Sequence, residues 1–287
     1  MDEQRTADLS QVKTVIEGVD HPEGLTVDAD GTMWAGGESG QIYRIDIARG
    51  TFEQVASTGG FLLGVTADGG QYVYVCDIKR CAVLRLVIAS GAVEVVVEDV
   101  AGRRLINPNY AVFDARGNLY VTDSGHWNGD DGYIFVIRPD GSTEIVDEQA
   151  CHFPNGLAWD EERGDLYVAE SAAPVVARLR LSDGHLDRVA DLPHTVPDGL
   201  GLDEDRSVYV ACYRPDTIFR ISGGTVSPFL SDWQGTVVSA PTNVAFGGPD
   251  RRDMYFGSLG RWHIGMVRVP TPGLPLCYPA ASRREGA

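Results

Sequence analysis

The sequence predicts an all-β fold, a six-bladed β-propeller with four-stranded blades, formed by residues 1–287 as a single domain. Three observations predict it. The stretch His-Pro-Glu-Gly-Leu-Thr at 21–26 recurs in altered form at 61–66, 107–112, 153–158, 196–201 and 241–246. The register residues Gly24, Gly64, Tyr110, Gly156, Gly199 and Val244 are spaced 40 to 46 residues apart, and a period in the forties made only of strands indicates propeller blades. The 34 glycines supply the tight turns that many short strands need. No 3.6-residue apolar period persists over a dozen residues, which argues against helical repeats. A β-sandwich is the competing fold, and six units with matched turns and matched aromatics disfavour it.

Each unit divides into four strands. The first is a short apolar run: GLTVD, GVTAD, YAVFD, GLAWD, GLGLD and VAFGG. A turn rich in Asp and Gly follows, such as DADG, DARG or DEERG, because these residues tolerate positive φ or bond their own backbone. The second strand carries an aromatic at one fixed place: Trp34, Tyr74, Tyr120, Tyr167, Tyr209 and Tyr255. These rings are expected in the blade core. The third strands read QIYRID, AVLRLV, YIFVIR, VARLRL, TIFRIS and GMVRVP. Only five fourth strands follow, of the kind FEQVAS and VEVVVED. The segment VKTVIEG at 12–18 precedes Gly24 as FEQVAS precedes Gly64. It is therefore expected to supply the last blade's fourth strand and close the ring, which removes an exposed sheet edge. The ordered part is expected over about 10–270, with residues 270–287 a Pro-rich, poorly ordered tail.

Bulk composition narrows the function. A formal charge of −17 excludes the basic footprint that a nucleic-acid partner needs and favours cations near the surface. The five cysteines, Cys76, Cys81, Cys151, Cys212 and Cys277, are odd in number and form no C-x-x-C. Neither a disulfide framework nor a zinc site follows from them, and a reducing compartment fits. The polar N-terminus, MDEQRTADLSQ, does not read as a signal peptide. No apolar run approaches the 18 residues of a membrane span. A cytoplasmic protein with a small-molecule substrate, no nucleic-acid or membrane partner, and a monomeric or simple homodimeric state is expected.

One column of the repeat carries the chemistry. It reads Glu23, Leu63, Asn109, Asn155, Asp198 and Asn243. Five of the six are side-chain oxygen donors at the start of a first strand, and first strands line a propeller's channel. They therefore converge on the axis at one end. An oxygen-rich cage with two carboxylates suits a hard divalent cation, Ca2+ above all. Strand pairing brings the ends of the second strands, including Asp123 and Glu170, to the same face. The loops there carry His126, Trp262 and His263. Together with Asn107, Tyr110 and Asn243, these residues are expected to contact substrate in a pocket above the axis. His21, two residues before Glu23, is a candidate base.

The motifs at 22–24, 108–110, 153–160, 197–200 and 244–250 resemble the gluconolactonase, regucalcin and luciferin-regenerating enzyme family, over about residues 12–270. The resemblance implies a divalent-metal hydrolase. It implies that Glu23, Asn155 and Asp198 hold the metal, that Asn109 is a ligand or substrate contact, and that Asp198 also serves as general base. Calcium is the expected ion, with Zn2+, Mg2+ or Mn2+ as alternatives. Sugar-lactone members tend to carry an arginine and an aspartate where this chain has Asn107 and Tyr110. That departure argues against a gluconolactone-like substrate and leaves the metal site intact, while the aromatic and basic groups of the loops suggest a less hydrophilic or an anionic substrate.

The expected reaction is metal-assisted opening of a lactone or ester, with Asp198 or His21 taking the proton from water and His263 a further alternative. Two other functions fit the same scaffold, because fold does not fix chemistry. One is a metal-dependent lyase, isomerase or cyclase acting on a specialised metabolite. The other is a non-catalytic calcium-binding propeller.

Overall fold

A computed structural model of the chain describes residues 6–280. Six four-stranded antiparallel sheets follow one another around a ring. Their innermost strands are Leu25–Val27, Leu62–Ala67, Pro108–Phe113, Pro154–Asp160, Val196–Leu202 and Pro241–Gly247. The sixth sheet takes its outer strand from the N-terminus: Lys13–Glu17 pairs antiparallel with His263–Arg268. The ring is thus closed as the sequence predicts, by the two ends of the chain sharing one blade. One small hairpin, Asp99–Val100 with Arg103–Arg104, lies in the connector before blade three and has no counterpart in the repeat.

The core is divided between the blades. Six apolar clusters each join two neighbouring sheets. The fixed second-strand aromatics sit there as expected: Trp34, Tyr120, Tyr167, Tyr209 and Tyr255 are buried, and Tyr74 packs partly buried against blade three. The repeated aspartate ending the first strand closes the following turn. Asp68 Oδ1 accepts from the amides of Gly70, Gln71 and Tyr72, and Asp114 Oδ1 from those of Arg116 and Asn118. Backbone donors in a tight turn need such acceptors.

The register glycines have a steric reason. A Cβ on Gly156 would meet the Asp198 carbonyl at 2.6 Å, and one on Gly199 the Thr242 carbonyl at 2.6 Å. Inner strands of neighbouring blades approach that closely because the ring narrows at its axis.

The expectation of a poorly ordered tail fails for residues 270–280, and 281–287 lie outside the described residues. Pro270, Pro272, Pro275 and Pro279 favour an extended path, which crosses the far end of the channel. Leu274 N donates to Leu202 O, Gly273 N to Arg251 O and Ala280 N to Asp68 O. The Tyr278 hydroxyl donates to Val27 O at 2.7 Å. Composition suggested a loose tail, but Leu274 and Leu276 border a small apolar cavity at the channel's lower end, and covering it orders the segment.

Candidate metal centre

First strands begin, and second strands end, on one face. Pro108 pairs with Asp123, Pro154 with Glu170 and Pro241 with Ser258. The column residues enter the channel from that face. Asn109, Asn155 and Asn243 are buried, while Glu23 and Asp198 are partly buried.

Glu23 and Asp198 feel each other. Burial pushes the Glu23 carboxyl up to about 8, with the Glu38 carboxylate adding to the rise. Asp198 is held well above the usual carboxylate range by burial and by Glu23, partly offset by a hydrogen bond from Asn155. Neither shift has a cationic side chain among its causes. Two acids facing one another without a protein cation make a site that favours a bound cation.

The amides of the two adjacent asparagines are oriented by serines. Ser171 Oγ donates to Pro197 O at 2.5 Å, so it accepts from Asn155 Nδ2, at 3.2 Å. One blade back, Ser124 Oγ donates to Pro154 O at 2.7 Å and accepts from Asn109 Nδ2 at 2.9 Å. Each serine has spent its proton on the next blade's carbonyl, which fixes the amide nitrogen toward it and leaves the amide oxygen for another partner. Asn155 Oδ1 is buried without a hydrogen-bond partner among the described residues. A buried orphan oxygen beside two acids is what a hard cation would satisfy, so the donor set fits a divalent metal. These serines were not foreseen. The signal for them is present, since each directly follows the acid that ends a second strand, in blades three and four, whose column residues are Asn109 and Asn155.

Asn243 and Tyr110 form a different structure. The Tyr110 hydroxyl donates to Asn243 Oδ1 at 3.0 Å, and Asn243 Nδ2 donates to Leu25 O at 3.3 Å. Blades three and six stand opposite one another, so Tyr110 bridges the channel where blades one, two, four and five have glycine. Both ends of the Asn243 amide are engaged, which makes it an anchor for Tyr110. Burial pushes the Tyr110 phenol up to about 12, and the Asp198 carboxylate adds to the rise.

Several expected substrate contacts have other tasks. Asp123 is fully buried; its oxygens accept from the amides of Ile106, Asn107 and Gly125. Glu170, also buried, takes a backbone bond from His152, and burial raises its pKa. Both acids clamp the irregular connector that leads into their own blade, because its buried amides need acceptors. His263 is buried, with Nε2 against Val237 O at 3.0 Å, so it is packed into the protein rather than free as a base. His126 is exposed and paired with Asp131 at 2.7 Å, on the loop that carries Trp127. Asn107 stays at the rim, with its Oδ1 buried and unpartnered.

His21 sits beside the cage with both ring nitrogens engaged. Nδ1 lies 2.9 Å from Asp20 and 2.8 Å from Glu38. Nε2 accepts the Trp262 indole N–H at 3.3 Å. The Asp20, His21 and Glu38 ligand atoms are close enough to be a second candidate cluster. Their direct contacts with one another account for the grouping without an ion.

A family model described as SMP-30/Gluconolactonase/LRE-like region matches residues 38–260. The chain belongs to this family. A shorter match, strictosidine synthase-like N-terminal, covers residues 5–45. Among curated relatives, the pentonolactonase XacC of Haloferax volcanii is 27% identical over 251 residues, covering 79% of this chain and 77% of the relative. The gluconolactonase of Zymomonas mobilis is 26% identical, covering 69% of this chain and 64% of the relative. The match to lactonase drp35 of Staphylococcus aureus, 27% identical, covers 51% of this chain and 48% of that protein. Among solved structures, a gluconolactonase from Xanthomonas campestris superposes with a TM-score of 0.76 at 20% identity, covering 90% and 89% of the two chains. A calcium-binding regucalcin from Agrobacterium tumefaciens gives 0.75 at 14% identity, covering 92% and 95%. These likenesses establish the propeller. No helix among the described residues is long and apolar enough to cross a membrane.

Proposed function

We propose that this chain is a divalent-metal-dependent hydrolase that opens a lactone or ester. The observation that carries this is the axial set itself: two mutually repelling carboxylates and an orphaned amide oxygen, at the mouth of a channel that Tyr110 bridges. Lactonases recur among the relatives, which supports the reaction class.

Glu23, Asn155 and Asp198 would hold the cation, with Asn109 as a fourth oxygen donor. Four oxygens and no sulfur or imidazole favour Ca2+ over softer ions. When bound, the metal supplies Lewis-acid polarisation of the substrate carbonyl. Asp198 accepts a proton from the attacking water, held in place by the Asn155 amide. Ser124 and Ser171 keep the asparagine oxygens aimed at the axis. His21 positions Glu38 beside Glu23, a role that suits its engaged nitrogens better than proton transfer. The substrate is a small molecule. With all five cysteines free, a reducing cytoplasmic setting fits.

The test is a panel of lactones and esters assayed after chelation and after return of Ca2+, Zn2+, Mg2+ or Mn2+. Activity should vanish on chelation and return with at least one ion. Full activity in chelator would overturn the assignment. Metal binding without hydrolysis of any panel member would favour the lyase, isomerase or cyclase alternative, for which the Tyr110 bridge is the motivating departure.

A further inference from the structure

Glu23 differs from the rest of its column in how it is held. Leu63, Asn109, Asn155, Asp198 and Asn243 all lie within their inner strands. In blade one the inner strand starts only at Leu25 and has three residues, paired Leu25 with Ala35, Thr26 with Trp34 and Val27 with Met33. Glu23 precedes it, and two residues further back His21 turns the backbone with a φ of 38°. The ladder that fixes the other five column residues therefore stops short of the one glutamate.

A row of carbonyls holds this strand instead. In an antiparallel ladder alternate residues bond the partner strand, and those between turn their carbonyls the other way. Gly24 O accepts Gly36 N from the second strand of its own blade. The carbonyls of Glu23, Leu25 and Val27 face away from that sheet, and each accepts from a side chain: Thr242 Oγ1 at 3.0 Å, Asn243 Nδ2 at 3.3 Å and Tyr278 Oη at 2.7 Å. Leu25 and Val27 are buried, so their carbonyls need such partners. Thr242 and Asn243 belong to blade six. Tyr278 belongs to the segment 270–280, which crosses the far end of the channel.

That segment meets the strand of the second acid at the same register. Val27 is four residues past Glu23, and Leu202 four past Asp198, about 13 Å of extended chain in each case. Leu202 O accepts Leu274 N at 2.8 Å, beside a bond from Glu204 N to Pro272 O at 2.8 Å and a bridge between Asp203 and Gly273. The short stretch from Leu274 to Tyr278 thus joins the lower ends of the two strands whose upper ends carry the acids. Pro275 stiffens it, and Leu274 and Leu276 lie against the apolar cavity at the channel's lower end.

We propose that segment 270–280 is a positioning strap for the axial cage, and that Tyr278 is the residue through which it holds the Glu23 strand. The role rests on the metal-centre reading given above. Tyr278 stands at the opposite end of the channel from the cage and acts through the strand, while the Leu274 amide does the same for Asp198. A cage whose two acids are held in place before an ion arrives loses less freedom on binding it, and so binds it more tightly.

The test is Tyr278→Phe in the full-length protein, which removes the hydroxyl and keeps the ring. In chelator, amide exchange read by mass spectrometry should quicken about threefold or more over 19–27 and stay unchanged over 62–67 in blade two. Ca2+ affinity by titration calorimetry should fall about tenfold, the low end for supporting contacts at metal sites. The comparison is Leu84→Ala, which opens the core in the third strand of blade two; it should lower the melting temperature and leave Ca2+ affinity within about twofold of wild type. Unchanged exchange over 19–27, Y278F that binds Ca2+ like wild type, or L84A that weakens binding as much as Y278F does, overturns the strap and leaves the metal centre standing. Wild type that binds no divalent ion overturns the metal centre, and the strap's positioning role with it.

Discussion

Replacing Glu23 by glutamine removes one member of the axial acid pair at almost constant volume. In the metal-free chain Glu23 titrates near 8 against an ordinary 4.5. The folded state thus holds this proton more tightly than the unfolded state does. Its contribution to stability is complete below the unfolded value and is lost as pH rises through about 8. One such group costs at most about 1.4 kcal/mol per pH unit inside that window. Between pH 5.5 and 7.5 the loss is therefore at most about 3 kcal/mol. At about 2 °C per kcal/mol for a chain of this size, Glu23 alone should lower the melting temperature of chelator-treated wild type by up to about 6 °C between pH 5.5 and 7.5. The glutamine variant should lose at least half of that slope, since removing Glu23 also relieves Asp198. Burial also raises Asp28, Glu170 and Asp203, and they contribute in the same sense, so the difference between the two proteins is the quantity to read. Scanning calorimetry of both proteins across this range measures it. Saturating Ca2+ at about 100 times its Kd should restore about 2.7 kcal/mol to wild type alone. Parallel melting curves for wild type and variant would refute the electrostatic argument.

Two further outcomes follow. Ser171→Ala frees the Asn155 amide to turn and should weaken metal affinity about 10- to 100-fold, as supporting hydrogen bonds do at metal sites, which titration calorimetry can read. Deleting residues 1–18 strips the outer strand from blade six and bares the His263–Arg268 edge; light scattering should show association, because an unpaired edge recruits other strands.

Much of this was legible because the repeat makes local and long-range signals coincide. Turn aspartates such as Asp68 and Asp114, the fixed aromatics, and the pairing of residues 13–17 with the last blade all follow from register alone. The column's convergence also follows, since it needs only the rule that first strands line the channel. What register cannot give is the partner each side chain chooses. Asp123 and Glu170 sit where substrate contacts would be placed, but the nearby connector amides compete for them and win. His263 has the composition of a loop base and is instead buried against Val237. The Tyr110–Asn243 bridge joins residues 133 apart, with no sequence signal beyond a tyrosine where four of the other blades carry glycine. The order of residues 270–280 depends on the apolar mouth they cover, which composition does not reveal.

The most direct test of the axial cage is metal content by elemental analysis of protein dialysed against trace Ca2+, paired with lactone hydrolysis on the same samples. Wild type should carry one divalent ion per chain and be active, while Asp198→Asn and Asn155→Ala carry much less than one and are inactive. Wild type that turns over lactones with no bound ion, or variants that keep a full equivalent, would contradict the assignment of Glu23, Asn155 and Asp198 as the metal centre.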